Sequence, residues 1–244
     1  NSSCASYSPY LQWVITAFML LAGTNFGFFF LLLCRQWRAA LRMEEVRWFY
    51  IIVFSSTLLI ALNLLSSGQF HSVREVLFQV GTIITTTGYA TTDFDLWPSF
   101  SKGILLFLML LGACAGSTGG GIKVSRLLIY IKTALREVRQ ISQPRVVRTV
   151  RLDGKKLEIP VIKGALLFLV CYALIFIGSV LIIQLENLDL ETSFSAVAAT
   201  LNNIGPGLGL VGPTCNFGFL SPLSKIVLIF DMLAGRLEIF PILV

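Results

Sequence analysis

The feature that most constrains this chain is a series of apolar runs whose length matches a lipid bilayer. Residues 11–33, 48–65, 161–185 and 222–244 are each near the ~20 residues that cross a hydrocarbon core. A fifth run, 103–130, is broken in its middle by a cluster of glycines. One such run is compatible with a buried helix of a soluble domain; five leave that alternative little room. The composition agrees, since 13% of residues are charged where a soluble domain carries about 25%. The expected fold is an all-α membrane protein with lipid as its first partner. The chain starts at Asn1 with no basic stretch ahead of an apolar one, so no signal peptide is expected. It stops at Val244 inside an apolar run, and both ends read as cut from something longer.

Charge placement sets an expected orientation. Arg35, Arg38, Arg42 and Arg47 lie between the first two runs. Eleven more basic residues lie between Lys123 and Lys163, bringing the two connectors to 15 of the chain's 19 Lys and Arg. The opposite connectors hold Glu75, Asp93, Asp95, Glu186, Asp189 and Glu191 against Arg74, Lys102 and Lys225. An excess of Lys and Arg marks the cytoplasmic side, so the acidic connectors and the N-terminus are expected outside. A net charge of +6 raises nucleic acid as a partner. Basic strips flanking apolar spans act far more often as topology determinants or lipid headgroup contacts, and no nucleic acid is expected. Within the long basic connector, VVRTVRLDGKKLEIP alternates around Asp153-Gly154, a signal for a small type I′ β-hairpin. It serves either as a partner surface or as a spacer.

Catalytic and metal chemistry find little support. Cys4, Cys34, Cys114, Cys171 and Cys215 are scattered without a C-x-x-C pair, and small apolar packing roles are expected for them. His71 is the single histidine, in a polar connector. GSTGGGIK has Ile122 where a phosphate-binding loop needs lysine. No enzyme activity and no cofactor are expected.

The outer connectors carry an internal repeat. After the 48–65 run comes a short amphipathic stretch, 72–84, then Thr85-Thr86-Thr87-Gly88-Tyr89-Ala90-Thr91-Thr92. After the 161–185 run comes 191–201, then Asn202-Asn203-Ile204-Gly205-Pro206-Gly207-Leu208-Gly209. Each is followed by another span, and such fixed order implies duplicated units. A re-entrant helix with an irregular loop is tolerated at membrane depth only where protein buries it or water bathes it. Rings of loop carbonyls that replace an ion's hydration shell are the basis of potassium filters. Gly88 and Gly205 suit the backbone conformations that aim successive carbonyls at one axis. Threonine hydroxyls add oxygens, and Asn202 and Asn203 are placed to brace their loop from behind. Asp93, Asp95 and Glu186 are placed to concentrate cations at the mouth. The competing explanation is a pair of ordinary extracellular turns.

TTTGYATTDF (85–94), GACAGSTGGGIK (112–123), LNNIGPGLG (201–209) and GRLEIF (235–240) together resemble the membrane subunit of the Trk/Ktr potassium-uptake family, on its Trk side because Glu238 follows Arg236-Leu237. The resemblance implies repeated helix–pore helix–filter loop–helix units around one pore in the inner membrane of a prokaryote, with potassium as the permeant ligand. Residues 1–33 then supply the last helix of a truncated second unit and 34–45 a cytoplasmic linker. Residues 46–131 form the third unit, 132–159 a basic loop with the hairpin, and 160–244 a fourth unit truncated at its C-terminus. Thr86, Thr87, Gly88 and Tyr89 become one filter segment and Asn203, Ile204, Gly205 and Pro206 another. Potassium is expected at Thr86, Thr87, Asn203 and Ile204. A homodimer on a cytosolic nucleotide-binding ring is implied by the resemblance alone.

The same resemblance makes the glycine-rich break an intramembrane gate, formed by Gly116, Ser117, Thr118, Gly119 and Gly120. Physically, glycine costs about 1 kcal/mol per helical position, and such breaks mark discontinuous helices near transport sites. Interruptions are also expected at residues 23–27 and 234–236. Arg236, inside an apolar run, is expected in the cavity below the filter as an electrostatic plug; a snorkelling arginine or an ion pair with Glu238 are its alternatives. Asp231 stands where a neutral polar residue is expected. The function read from these residues is selective potassium permeation. Its alternatives are a broken-helix secondary transporter and a non-transporting scaffold.

Overall fold

The computed structural model describes residues 3–142 and 149–237. In chain order the helices are α1 (Pro9–Gly23), α2 (Phe26–Leu33), α3 (Trp37–Leu41), α4 (Glu44–Ser66), α5 (Val73–Ile84), α6 (Ser99–Leu110) and α7 (Val124–Ser142). Strands β1 (Arg151–Leu152) and β2 (Lys155–Lys156) follow, then α8 (Ile159–Gln184), α9 (Leu190–Leu201) and α10 (Pro222–Arg236).

Helices α4 and α8, at 23 and 26 residues, are long and apolar enough to cross a membrane. A rise of about 1.5 Å per residue makes each longer than the ~30 Å hydrocarbon layer. Each buries one face and leaves another bare. Ile51, Phe54, Leu58, Leu62 and Leu65 are exposed on α4, and Leu167, Val170, Leu174, Ile177 and Leu181 on α8. Their steps of three and four residues define one apolar stripe per helix, the surface that lipid covers. The expected first span is bent by 92° between α1 and α2. Thr24 caps α1 and the Asn25 side chain caps α2 by accepting the Gly27 N–H at 2.8 Å.

The repeat is present in detail. Helices α5 and α9 are both 12 residues long, about 18 Å and too short to cross. They start 117 positions apart, at Val73 and Leu190. The Ser72 side chain caps α5 and the Asp189 side chain caps α9, each accepting the N–H three residues on. Both helices are buried in the common core, with Val76, Val80, Ile83 and Ile84 of one and Val197, Ala198 and Leu201 of the other. A bilayer-depth helix that does not span needs such a protein jacket. Beyond the loops, single 3-10 turns at Phe94–Leu96 and Phe217–Phe219 lead into α6 and α10. The second connector is longer and holds an extra turn, Gly209–Val211.

The predicted hairpin forms, pairing Arg151 with Lys156 and Leu152 with Lys155. Asp153 and Gly154 both take positive φ, 51° and 76°, as a type I′ turn demands.

One expectation changes. The expected basic loop 132–159 is helical at its start, because α7 runs on to Ser142 with apolar Leu128 and Ile129 buried along it. Helix α10 accounts for Pro222–Arg236 of the run 222–244, and residues 238–244 lie outside the described residues. The interruption expected at 234–236 falls at the end of α10, whose last helical residue is Arg236. The helix continues through Ala234 and Gly235, since Gly235 lets α10 pass tightly against the end of α9, where a Cβ would meet the Leu201 carbonyl oxygen at 1.7 Å.

Candidate functional site

The two re-entrant loops are built by the same backbone hydrogen bonds, residue for residue. At the end of α5, Thr85 N–H donates to Gly81 O, Thr86 to Ile83 O, and both Thr87 and Gly88 to Thr82 O. At the end of α9, Asn202 donates to Ala198 O, Asn203 to Thr200 O, and both Ile204 and Gly205 to Ala199 O. Every partner is displaced by the same 117 positions. Thr86 and Asn203 both take positive φ (53° and 55°), as do Gly88 and Gly205 (80° and 111°). Alternating left-handed residues of this kind turn the chain sharply out of the helix. This conformation is costly for the β-branched Thr86 and better tolerated by Asn203, and both are held by their surroundings.

Those surroundings are explicit. The Thr86 hydroxyl accepts the Gly120 N–H at 2.8 Å, and Thr85 and Thr87 hydroxyls bond each other at 2.8 Å. Asn202 donates to Ala198 O at 2.8 Å and accepts from the Tyr172 hydroxyl at 3.0 Å. Asn203 donates to Met232 O on α10 at 3.2 Å. The asparagine braces expected behind the second loop are therefore present. Two further braces carry no motif in the sequence. The buried Gln79 amide oxygen accepts the N–H groups of Thr91 and Thr92 at 2.9 and 3.1 Å, and the Ser195 hydroxyl accepts the Leu208 N–H at 2.9 Å.

The loops converge. A Cβ added to Gly88 would lie 2.0 Å from the Ile204 carbonyl oxygen and 3.4 Å from Pro206, so glycine at 88 is what lets that carbonyl approach. A cavity of about 330 Å³ opens beside this contact, lined by Gly88, Ala90, Gly205, Pro206 and Val211 among others. Tyr89, in the same segment, is half-exposed. Ser3 and Cys4 pin the outer end of the first loop through Ala90, at 3.1 and 2.9 Å.

On the other side of the bends lies the glycine-rich break. It leaves α6 at Leu110 and returns at Val124, closed on itself by Gly112 N–H to Ile122 O (2.8 Å) and Ile122 N–H to Leu110 O (3.3 Å). Its tip packs under both short helices. A Cβ on Gly119 would meet Thr85 O at 3.3 Å, and one on Gly120 would meet Asn202 O at 2.4 Å. It also bonds to the α1–α2 bend, with Cys114 N–H to Gly23 O (3.0 Å) and Phe26 N–H to Gly116 O (3.2 Å). A second cavity of about 280 Å³ is lined by Ser117, Thr118, Gly119, Gly120, Lys123 and Arg236, among others. Arg236 donates to Thr118 O at 3.3 Å, and the buried Lys123 ammonium donates to Gly119 O. Two cations thus hold carbonyls of one loop.

Asp231 does not line either cavity. It is fully buried and accepts from Ser179 of α8 at 2.8 Å, so it does not set the charge beneath the loops. Glu238 lies outside the described residues, and with it the alternative of an Arg236–Glu238 ion pair. The outer acidic residues are structural staples. Asp95 accepts the Gly209 N–H at 2.8 Å and faces Lys102, which also pairs with Glu191 at 2.6 Å. Glu186 accepts from the Ser221 N–H and hydroxyl at the start of α10. Hydrogen bonds from Ser221 and Ser224 hold the Glu186 carboxyl below the ordinary carboxylate range, and those from Thr192 do the same for Asp189. Sequence reasoning also missed Glu45. Its buried carboxylate accepts from Ala115 N–H (2.6 Å), Ser125 N–H (3.1 Å) and the Asn25 amide (3.2 Å).

Two short buried helices, each delivering a kinked loop to one shared contact with a third loop beneath, define a membrane protein of the re-entrant pore-loop class. The chain belongs to the TrkH cation transport protein family, whose model matches residues 1–244. It is 37% identical over 242 residues to the Trk system potassium uptake protein TrkH of Escherichia coli K12, covering 97% of this chain and 50% of that protein. It is 43% identical over 178 residues to the TrkH of Vibrio parahaemolyticus, covering 73% of this chain and 36% of that one. The crystal structure of the potassium transporter TrkH from Vibrio parahaemolyticus superposes with a TM-score of 0.88 at 37% identity, covering 99% of this chain and 53% of that one. The chain spans about half the length of these relatives.

Proposed function

We propose that this chain contributes two filter loops and a gate to a potassium-conducting pore, as the third and fourth units of a four-unit pathway in a bacterial inner membrane. One observation carries the reading: the Ile204 carbonyl oxygen stands against Gly88, where any side chain would exclude it. Backbone oxygens of the two loops, at Thr86, Thr87, Gly88 and Tyr89 and at Asn203, Ile204, Gly205 and Pro206, are the ligands that replace water around the ion, with the K+ sites at Thr86, Thr87, Asn203 and Ile204. The loop through Gly116, Ser117, Thr118, Gly119 and Gly120 lies across the path below them, and Arg236 adds a positive charge where a cation must pass. The basic connectors face the cytoplasm, and the N-terminus and both filter loops face outward. Assembly as a homodimer on a cytosolic nucleotide-binding ring belongs to the same reading, supported by kinship to the Trk system proteins.

The test is potassium and sodium flux through the intact transporter in proteoliposomes. Gly88→Ala puts a Cβ 2.0 Å from a backbone oxygen and imposes a φ of +80° on an L-residue. The expected result is loss of potassium preference over sodium together with a large fall in potassium flux. Undiminished, potassium-selective flux in Gly88→Ala removes the filter assignment.

A further inference from the structure

We propose that Glu45 is the latch that holds the gate loop shut, an inference that rests on reading the loop through Gly116, Ser117, Thr118, Gly119 and Gly120 as the gate. Glu45 sits in the first turn of α4 and is 4% exposed. A carboxylate so buried is tolerated only when its oxygens are hydrogen-bonded. One oxygen takes two of the bonds, from Ala115 N–H at 2.6 Å and Ser125 N–H at 3.1 Å. Ala115 stands in the outgoing limb of the loop. Ser125 lies in the first turn of α7, where N–H groups have no helical partner and the helix dipole favours an anion. The other oxygen accepts the Asn25 amide at 3.2 Å, at the bend between α1 and α2. One side chain therefore ties both ends of the loop to the broken helix against which the loop is packed.

Movement of the loop out of the path draws Ala115 away from this carboxylate. The anion is then left buried with part of its hydrogen bonding unmade, and unmade bonds to buried charges are the expensive ones. Closure is favoured by the same term, and Glu45 is a positioning residue that never meets the ion. The neighbouring acid, Glu44, is spent differently, on Lys132 of α7.

The experiment uses the intact transporter in proteoliposomes, with Cys4, Cys34, Cys171 and Cys215 replaced by Ser so that Cys114 is the reactive thiol of this chain. Cys114 is fully buried at the root of the loop, so its rate of modification by a small methanethiosulfonate reports loop displacement. Glu45→Gln keeps the volume and one oxygen for the Ala115 and Ser125 N–H groups, but removes the negative charge and puts an amide N–H₂ where the Asn25 amide donates. The expected result is potassium flux and Cys114 modification each raised about tenfold, with the potassium-to-sodium ratio unchanged. A purely structural role for Glu45 lowers the melting temperature without speeding modification of folded protein, and that outcome overturns the latch. Unchanged flux, or reduced flux with Cys114 still protected, overturns it as well. If Glu45→Gln does not fold, Glu45→Asp, which keeps the charge but withdraws it by one methylene, is read in the same way. A parallel variant lacking residues 116–119 separates the two readings. If it leaves flux unchanged, the gate itself is refuted. If it raises flux while Glu45→Gln does not, the latch alone is refuted.

Discussion

Arg236 and Lys123 show how single charges are placed by what surrounds them rather than by where they fall in the chain. Both donate to carbonyls of the same glycine-rich loop, yet Lys123 is buried and Arg236 is exposed to the inner cavity. An exposed guanidinium is screened, so its hold on Thr118 O is modest; the role proposed for it is repulsion of a passing cation. Arg236→Ala in the intact transporter is expected to raise potassium flux several-fold while leaving the melting temperature within about 2 °C, because a weak exposed contact contributes little stability. Flux measured by a potassium electrode in vesicle suspensions checks this, and unchanged flux removes the plug. At the bends, Gly88 and Gly205 share a turn but not an environment: one faces a backbone oxygen and the other has open space around it.

Helix α4 begins without a cap of its own, since the Met43 side chain makes no capping bond. The missing acceptor comes from the hairpin, where Asp153 accepts the Glu44 N–H at 2.6 Å, and Lys132 links Glu44 to Arg151 O. This is an N-cap supplied from more than a hundred residues away. Asp153→Ala is expected to lower stability by about 0.5–1 kcal/mol and to speed amide exchange of the first turn of α4, read by hydrogen–deuterium exchange. At the outer end, α10 is anchored by Glu186 through Ser221 and Ser224. Those hydrogen bonds lower the carboxyl's pKa in the folded state, so the stability they contribute is fully present above the ordinary value of about 4.3. It is lost as pH falls through the depressed folded value. Thermal melts between pH 7 and pH 3 are expected to show that loss, and Glu186→Gln is expected to shrink it.

At the scale of the molecule, two repeated units share one contact between their loops, and a third, glycine-rich loop packs against the ends of both short helices. Among the described residues, the ionisable groups lining the inner cavity are Lys123 and Arg236, with no carboxylate to carry a coupling proton or sodium. This arrangement supports the proposed passive conduction over coupled transport. The membrane potential supplies roughly 2.3 kcal/mol per charge per 100 mV, which corresponds to about a 50-fold potassium gradient at equilibrium. Vesicles holding the intact transporter at −100 mV are expected to reach that ratio and stop. Accumulation beyond it, or dependence on a second solute, shows coupled transport instead.

Membrane residence, the repeat and the two glycine-centred bends were legible in the residues because each depends on local pattern. A run of about 20 apolar residues, a helix too short to cross and a polar loop centred on Gly88 or Gly205 announce themselves without reference to distant chain. The hairpin at Asp153-Gly154 belongs with them, since positive φ at two adjacent positions selects those residue types. Other features required the tertiary structure, because their partners are far apart in sequence. Nothing near Glu45 marks it as different from Glu44, yet one lies against the loop at Ala115 and the other against α7. Asp231, which stands where a neutral polar residue is expected, faces Ser179, because helix rotation, which short-range pattern constrains weakly, turned it toward α8. Asp95 and Glu186 read as cation attractors, and packing made them staples between connectors. Local chemistry determined which segments bend and which cross; only the assembled helices decided which buried charges meet which backbone groups, since that depends on distances no linear pattern encodes.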